Sequence, residues 1–589
     1  MKIRTSIRIT FVLLLLFSST NIYSQKLPPV FTNSQSDKAQ PSSLTRSYIS
    51  PTRIVWMKSD GGASIQNEDL LLREGNGQAD LSNNPTCILK SDSTDHPAIV
   101  LDFGKEIHGG MQFITGRTST GKPIKMRVRL GESVSEVMSD IGEKGATNDH
   151  AIRDRIIDVP LLGNIEIGNS GFRFVRIDLV ENKAELQLKE ARAILIYQDI
   201  PYLGSFNSSD DLLNNIWLTG AYTVHLNMQD YLWDGIKRDR LVWAGDMHPE
   251  VSTINAVFGY NDVVPKSLDL NRDLTPLSNW INGISSYSMW WVIMHKDWYM
   301  HHADLKYLKE QRAYLIPLLR QLCSMIDEEG VEKLNGWRFM DWPSSENQEA
   351  IHGGLQALMV WSLSAGKDMC LILNEKETAK ECEEAINKLK KHIPETNNSK
   401  QAAALLSIVD LITPTQGNSV VTNNGVHDFS TFYGYYMLQA MAKADNYDEA
   451  IDYIRQYWGG MLSIGATTFW EDFNIDWLEN ASPIDAPVQA GKKDIHGDYG
   501  NYCYVGLRHS LCHGWASGPT AWLTEHVLGI QVIEAGCKTI RIEPHLGNLE
   551  FAEGSFPTPY GLVKVKHTKD VNGKITSKID APKGVKIIK

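Results

Sequence analysis

The sequence predicts a multidomain α+β protein: an N-terminal β-sandwich, a helical barrel of the (α/α) type, and a small C-terminal β-domain. Three observations carry this order. Between residues 54 and 200 the apolar segments are short, rich in β-branched and aromatic residues, and punctuated by glycine. From 206 to about 530 apolar residues recur at three- and four-residue spacing instead. After 531 short alternating segments return.

AIVLDFG (98–104), MQFITG (111–116), IKMRVRLGES (124–133), FRFVRIDLV (172–180) and ARAILIYQDI (191–200) read as strands. Met126, Val128 and Leu130 alternate with Lys125, Arg127 and Arg129, which puts one row inside and the other outside. Many short strands of this kind describe an antiparallel sandwich. The more polar stretch 133–158 reads as a long loop over it. In the segment from 210 to 232, Leu213, Ile216, Trp217, Gly220 and Val224 share one helical face. Helical segments follow one another to 530 without a repeat of fixed period, which favours a closed helical barrel over a regular solenoid. TIRIEP (539–544), LEFAEGSFPTP (549–559), GLVKVKHTKD (561–570) and KITSKIDAP (574–582) make the last strands. The expected division is a signal segment at 1–24, the sandwich with a leading polar arm at 25–204, the barrel at 205–530 and the β-domain at 531–589.

The signal segment has Lys2, Arg4 and Arg8, then an apolar run at 9–17 too short to span a bilayer, then small polar residues with a cleavage point near Ser24. No cysteine follows it, so export to the periplasm or beyond without a lipid anchor is expected. No later run approaches a membrane span. Hydrophobic content of 42% with 22% charge fits a folded globular chain. The net charge of −12, with no basic block, argues against a nucleic-acid partner. The 7 cysteines show no CxxC spacing, so zinc-site grammar is missing. His295, His301 and His302 form no i, i+4 pair, and neither a metal nor a cofactor is expected. The 16 Trp and 21 Tyr supply faces that can stack on sugar rings, though most must serve the core.

Candidate chemistry lies in loops between the predicted helices. DGIKRDRLVWAGD (234–246) sets Asp234, Asp239 and Asp246 among Lys237, Arg238 and Arg240, with Trp243 beside them. Carboxylates this close stay ionised together in a dry pocket only if cations offset them; otherwise one keeps its proton and can act as an acid. The alternative is a solvated loop of screened ion pairs. FWEDF (469–473) places Glu471 in an aromatic setting suited to a general base. CHGW (512–515) offers His513 and Trp515, FMDW (339–342) offers Asp341 and Trp342, and a tryptophan-rich segment at 287–302 offers Trp290 and Trp291.

LDFGKEIHGG (101–110), RLGES (129–133), GFRFVRIDL (171–179), GATTFWE (465–471), CHGWASGP (512–519) and AEGSFPTPYG (552–561) together resemble the α-L-rhamnosidases of glycoside hydrolase family 78. The resemblance covers nearly the whole chain after the signal segment. It implies an (α/α)6 barrel holding the active site between two β-domains, and a rhamnose-containing glycan or glycoside as the carbohydrate partner. It implies that Asp239 is the general acid, Glu471 the general base, and Asp234, Arg238, Trp243, Asp246 and His513 the sugar-binding groups. Trp342 and one of Trp290 or Trp291 resemble the family's aromatic walls, and Trp291, Asp341, Trp342 and Trp515 are taken as candidate substrate-binding residues. The family has Glu where this chain has Asp239, so the acid here is withdrawn by about 1.5 Å, one bond length. The implied reaction is inversion, with the two carboxyls about 6.5–9.5 Å apart. Arg238 and Arg240 would depress the pKa of any carboxylate they touch, so they are expected to face Asp234 or Asp246 rather than the acid. The insertion 478–502 has the position of a lid or a substrate-selecting loop. Two other readings are a polysaccharide lyase, with a base among Tyr499, Tyr502, His496 and His509, and a non-catalytic glycan-binding protein.

Overall fold

The computed structural model describes residues 42–589. The expected signal segment and most of the expected leading arm lie outside the described residues. The N-terminal domain consists of β1 (Leu44–Ile49), β2 (Arg53–Lys58), β3 (Ser64–Gln66), β4 (Cys87–Lys90), β5 (Ala98–Thr118), β6 (Ile124–Gly131), β7 (Asp154–Val159), β8 (Asn164–Leu179) and β9 (Glu185–Gln198). All nine join one antiparallel sheet in the order β3-β4-β9-β5-β8-β6-β7, with β1 on β9 and β2 on β5. The sandwich is therefore built from one continuous sheet, whose long strands β5, β8 and β9 serve both halves. A β-bulge at Gly109/Gly110 re-aims β5. Gly109 has φ +146, and a Cβ there would meet the Ile194 carbonyl at 1.9 Å. Met126, Val128 and Leu130 point into the core as the alternation requires, joined by Leu101, Phe113, Phe172 and Leu188.

The short helix α1 (Val134–Met138) occupies part of the stretch read as a loop. The barrel follows: α2 (Asp211–Asn227), α3 (Met247–Val257), α4 (Val263–Asp273), α5 (Ser285–His302), α6 (Leu305–Ser324), α7 (Gln348–Ile372), α8 (Lys376–Leu389), α9 (Lys400–Ile408), α10 (Pro414–Val421), α11 (Gly434–Lys443), α12 (Tyr447–Ser463) and α13 (Gly518–Trp522). Every second helix touches the next one along, α3 to α5 to α7 to α9 to α11 to α13, and α13 returns to α3. This closed inner ring alternates in sequence with the outer helices α2, α4, α6, α8, α10 and α12, which makes six helical hairpins. Trp290, Trp291, Trp298, Trp458 and Trp522 are fully buried between or inside these layers. Much of the tryptophan content is thus core.

The last strands form two small sheets. One is antiparallel and contains Phe551–Thr558, Gly561–Lys569 and Ile575–Asp580; its edge is Ser205–Ser208, from just ahead of α2. The other joins Ile530–Glu534, Thr539–Ile542 and Lys586–Ile588. The barrel is bound tightly to the N-terminal sheet as well. Arg173 on β8 donates from Nε and Nη2 to the two oxygens of buried Asp102 (2.8 and 2.9 Å), and from Nη1 to the Gly465 carbonyl (3.0 Å). Segment 478–502 is docked rather than free. Val134 donates to the Ile484 carbonyl (2.8 Å), Ser135 to Asp494 (3.0 Å), and Ser133 pairs with His496 Nδ1 (2.7 Å). Its middle forms a buttress against α1, while Tyr502 at its end reaches Trp342.

Breaking a buried ion pair from one side leaves an uncompensated charge. Arg173→Ala is accordingly expected to destabilise the protein by about 3–5 kcal/mol, read from the chemical denaturation midpoint. A loss below about 1 kcal/mol would show that Arg53, which also reaches Asp102 at 2.8 Å, carries the charge alone.

Candidate active site

Residues 234–246 leave α2 and re-enter the barrel at α3. Asp234 closes this turn on itself: its amide donates to the Leu241 carbonyl (3.1 Å) and its Oδ1 accepts from the Leu241 amide (2.9 Å). At the turn, Asp239 and Arg240 have φ of 54° and 55°, a region that non-glycine residues enter only where surrounding contacts fix them. Gly235 lies against residues 512–513, and a Cβ there would stand 3.0 Å from His513 Nδ1. The Gly514 amide donates to the Asp234 carbonyl (2.8 Å). Through these contacts the segments 234–246 and 512–515, far apart in sequence, become one site.

Arg238 is its central cation. Its Nη2 donates to Glu471 Oε1, its Nη1 to the Cys503 carbonyl (2.8 Å), and its Nε lies 3.9 Å from Asp239 Oδ1. Burial opposes its charge, but Glu471, Cys503 and Asp239 more than restore it, and the guanidinium is held above its usual pKa. The other oxygen of Glu471 accepts from the Ser510 amide (3.3 Å), and its backbone carbonyl accepts from Trp515 Nε1 (2.9 Å) and Thr431 Oγ1 (2.6 Å). Asp239 accepts from Trp243 Nε1 (3.2 Å), and His150 of the N-terminal domain stands 3.4 Å from its other oxygen. The expectation for the arginines is corrected: Arg238 pairs with Glu471. Arg240 donates to the carbonyls of Asn169 (3.1 Å) and His150 (2.5 Å). Neither bonds to Asp234 or Asp246, because Arg238 is drawn to Cys503 and Glu471 and Arg240 to the rim of the N-terminal sheet.

Asp234 and Asp246 are both buried. Burial first, then the charges of Asp246 and Asp239, pushes Asp234 well above the usual carboxylate range. Burial also raises Asp246, although a hydrogen bond from His513 Nε2 (3.1 Å) opposes the shift. Tyr287 donates to the second oxygen of Asp246 (3.3 Å) and packs edge-on against Trp243. Glu250 was not singled out in the sequence, yet it lies buried beneath this group with both carboxyl oxygens lacking a protein partner. Burial and the nearby Asp246 and Asp234 hold it protonated well above the normal range. Its signal was its place four residues after Asp246 on α3, which puts both on one helical face.

The remaining expected residues divide. Trp342 stands in an aromatic row, near-parallel to Tyr502 at 5.7 Å and edge-on to Phe339 and Trp337. Trp515 stacks on Phe432 at 5.0 Å and serves Glu471 through its N–H. Asp341 is corrected from a substrate ligand to an anchor: its oxygens accept from the Ser344 amide (3.0 Å), Gln401 (3.1 Å) and Ser430 (3.1 Å), which ties three segments together. Trp291 is corrected to core. It donates to the Leu268 carbonyl (3.0 Å) and contacts His295 and Tyr314, in the layer between α5 and the outer helices. Trp290 takes the inner side and stacks on His248 and Tyr436. Among the described residues the one carboxylate–histidine group with metal-like spacing is Glu132, Glu136 and His496. The Lys237 ammonium already lies 2.9 Å from Glu132 and 3.4 Å from Glu136, so a cation is supplied by the chain.

A ring of six helical hairpins with its acids gathered in the connecting loops is the architecture of a six-hairpin glycosidase. Residues 201–527 match the family model described as the bacterial alpha-L-rhamnosidase 6 hairpin glycosidase domain, and residues 529–588 match that of the bacterial alpha-L-rhamnosidase C-terminal domain. The chain belongs to this family, glycoside hydrolase family 78. An alpha-L-rhamnosidase of Alteromonas sp. (strain LOR) is 23% identical over 525 residues, covering 81% of this chain and 54% of that protein. One from Formosa agariphila is 23% identical over 474 residues, covering 70% of this chain and 46% of its own. The chain thus spans about half the length of the curated relatives it matches. The fold matches the family 78 rhamnosidase of Bacillus sp. GL1 with a TM-score of 0.72 at 20% identity, covering 88% of this chain and 55% of that one. It also matches a rhamnosidase from Klebsiella oxytoca with rhamnose bound, with a TM-score of 0.64 at 20% identity, covering 82% and 95%.

Asp472, next to Glu471, is pushed up to about 7 by burial and by the Glu471 charge. An unfolded Asp titrates near 3.9, so its stabilising contribution is fully present below that pH and is lost as pH rises toward 7. Asp472→Asn should gain on wild type in denaturation experiments between about pH 4 and 7 and hold a constant advantage above. A gap independent of pH would contradict this.

Proposed function

We propose that the chain is an inverting exo-glycosidase that hydrolyses terminal α-L-rhamnosyl, or closely related, linkages in glycans or glycosides. The observation that supports this reading is that Asp239 and Glu471 both meet the Arg238 guanidinium, Asp239 near Nε and Glu471 at Nη2. Inversion requires about 6.5–9.5 Å between the two carboxyls, room for one water beside the sugar. Asp239 gives a proton to the departing glycosidic oxygen. Glu471, oriented by Arg238 and the Ser510 amide, takes one from the water that attacks the opposite face of the ring. Asp234, Asp246 and His513 bind the sugar hydroxyls; a carboxyl kept protonated by burial, as Asp234 is, can donate as well as accept. Trp243 and the Trp342–Tyr502 row supply the aromatic faces.

The lyase reading loses support. His496 spends both nitrogens on Ser133 and the His509 carbonyl, and His509 Nε2 accepts from the Asp472 amide. Burial lowers both imidazoles far below their usual range. Export to the periplasm or beyond, and the domain limits near 204 and 530, belong to this proposal. No helix among the described residues is long and apolar enough to cross a membrane.

The test is hydrolysis of p-nitrophenyl α-L-rhamnopyranoside, with the first-formed anomer of the product followed by proton NMR. Inversion predicts β-L-rhamnose first. Glu471→Ala should lose about 10²–10⁴-fold in kcat, whereas Asp239→Ala should lose little on this activated substrate and far more on an alkyl rhamnoside. α-L-Rhamnose appearing first would overturn inversion, and absence of turnover on every rhamnoside would overturn the assignment.

A further inference from the structure

We infer that the cleft beside Asp472 is a second saccharide-binding site, which takes a neutral sugar ring of the same glycan whose terminal rhamnosyl unit enters the reaction pocket. The inference deepens the hydrolase reading above and rests on it for the glycan.

The cleft opens at the end of the ring that carries the catalytic loops. Residues 343–347 lead into α7 and 398–399 into α9, as 234–246 leads into α3. These inner helices are each separated by one outer helix, so they run the same way and their starts share one end of the ring. The cleft encloses about 340 Å³, and small-ligand pockets begin at about 300 Å³. Asp234, Asp239, Asp246 and His513 do not line it, so it is separate from the reaction pocket. Two segments nevertheless join the two places. Asp472 directly follows Glu471, and Tyr502 directly precedes Cys503, whose carbonyl holds Arg238 at 2.8 Å. Tyr502 also stacks on Trp342 at 5.7 Å.

The polar groups of the cleft are largely unspent. Lys400 is only 4% exposed. Its ammonium donates to the Gly425 carbonyl (2.6 Å) and lies over the Phe429 ring at 5.3 Å. An ammonium carries three donors, so further N–H groups remain for a ligand. The Asp472 carboxyl has the Phe473 amide beside it and meets no side-chain donor among the described residues. At the rim Asn398, Asn423, Asn424 and Asn501 are exposed, and their side-chain amides bond to no other group among the described residues. Trp477, which stacks on Tyr499 at 5.2 Å, and exposed Tyr502 add aromatic surface. Sugar hydroxyls both donate and accept, which matches an ammonium, a carboxyl and a rim of amides.

Charge selects the class of sugar. Lys400 shares the cleft with two carboxyls, Asp428 and Asp472, and the other lining residues are neutral. A uronate or a phosphate would meet two acids for one cation and lose its hydration to reach them. A neutral pyranose bears no such cost. The cleft therefore gives the enzyme a second hold on a glycan that a small rhamnoside cannot use.

The experiment records saturation-transfer NMR of the protein with L-rhamnose and with the methyl glycosides of D-glucose, D-galactose, D-mannose and D-glucuronic acid. Asn423→Trp fills the cleft from its exposed rim, and Lys400→Gln removes the ammonium. At least one neutral methyl hexoside should bind wild type and weaken about tenfold or more in both variants. The glucuronide should not bind, and L-rhamnose binding should be the same in all three proteins. Asn423→Trp should keep its kcat/KM on p-nitrophenyl α-L-rhamnopyranoside within about twofold of wild type. Neutral hexosides that bind none of the proteins, or all three alike, would overturn the site. A glucuronide bound more tightly than every neutral hexoside would overturn its assignment to neutral sugars. Loss of both L-rhamnose binding and rhamnoside turnover in wild type would instead remove the hydrolase reading, and a hexoside signal sensitive to both variants would still establish the cleft as a saccharide site.

Discussion

The site depends on one charge relation. Asp234, Asp246, Glu250 and Glu471 are buried close together, and Arg238 is the guanidinium that meets the Glu471 side. Ionised carboxylates cannot be removed from water in such number with so few partners. The protein resolves this unevenly: Glu471 takes Arg238, Asp246 takes His513 and Tyr287, and burial pushes Asp234 and Glu250 toward the neutral form. The site therefore presents many directed hydrogen-bonding groups.

Holding Arg238 becomes a structural task spread over the molecule. Cys503 fixes it from the late loop. Its neighbour Lys237 is anchored by Glu132 from the N-terminal sheet and by the Leu507 and His509 carbonyls. Glu132 also accepts from the Leu511 amide at 2.7 Å. The turn carrying Asp239 is thus gripped from both sides, and the β-domain is part of the site's foundation. Arg240, which follows Asp239, donates to the His150 carbonyl and extends that grip to Asp239.

Architecture was legible in the sequence where periodicity was clean. Met126, Val128 and Leu130 form one apolar row, while in the row against them Lys125 is exposed, Arg127 half-buried and Arg129 buried on Asp178; the face on α2 has polar neighbours. That the acids at 234, 239 and 246 share one connecting segment was legible from their spacing. Trp291 was not, because α5 is buried on every side from Ser285 to His295, so adjacent tryptophans facing opposite layers look alike in sequence. Asp341 misled for a related reason: an acid in a loop beside an aromatic residue describes an anchor as well as a ligand, and only its partners tell them apart. His150 and Glu250 depend on contacts across the fold, which no local pattern carries. The docking of 478–502 on α1 was hidden likewise, since its composition matched that of an open loop.

The pairing of Ser205–Ser208 with Phe551–Thr558 has a consequence for biosynthesis. The strand that introduces the helical ring finds its hydrogen-bonding partner about 350 residues further on, and α13, which closes the ring, also lies beyond residue 517. A nascent polypeptide can therefore build the early hairpins but cannot complete the circle until residues 518–558 have emerged. Assembly of the candidate site, drawn from 234–246, 471 and 503–513, waits on the same segments, so a chain cut short of them would have an unsealed β-edge and an unassembled site at once.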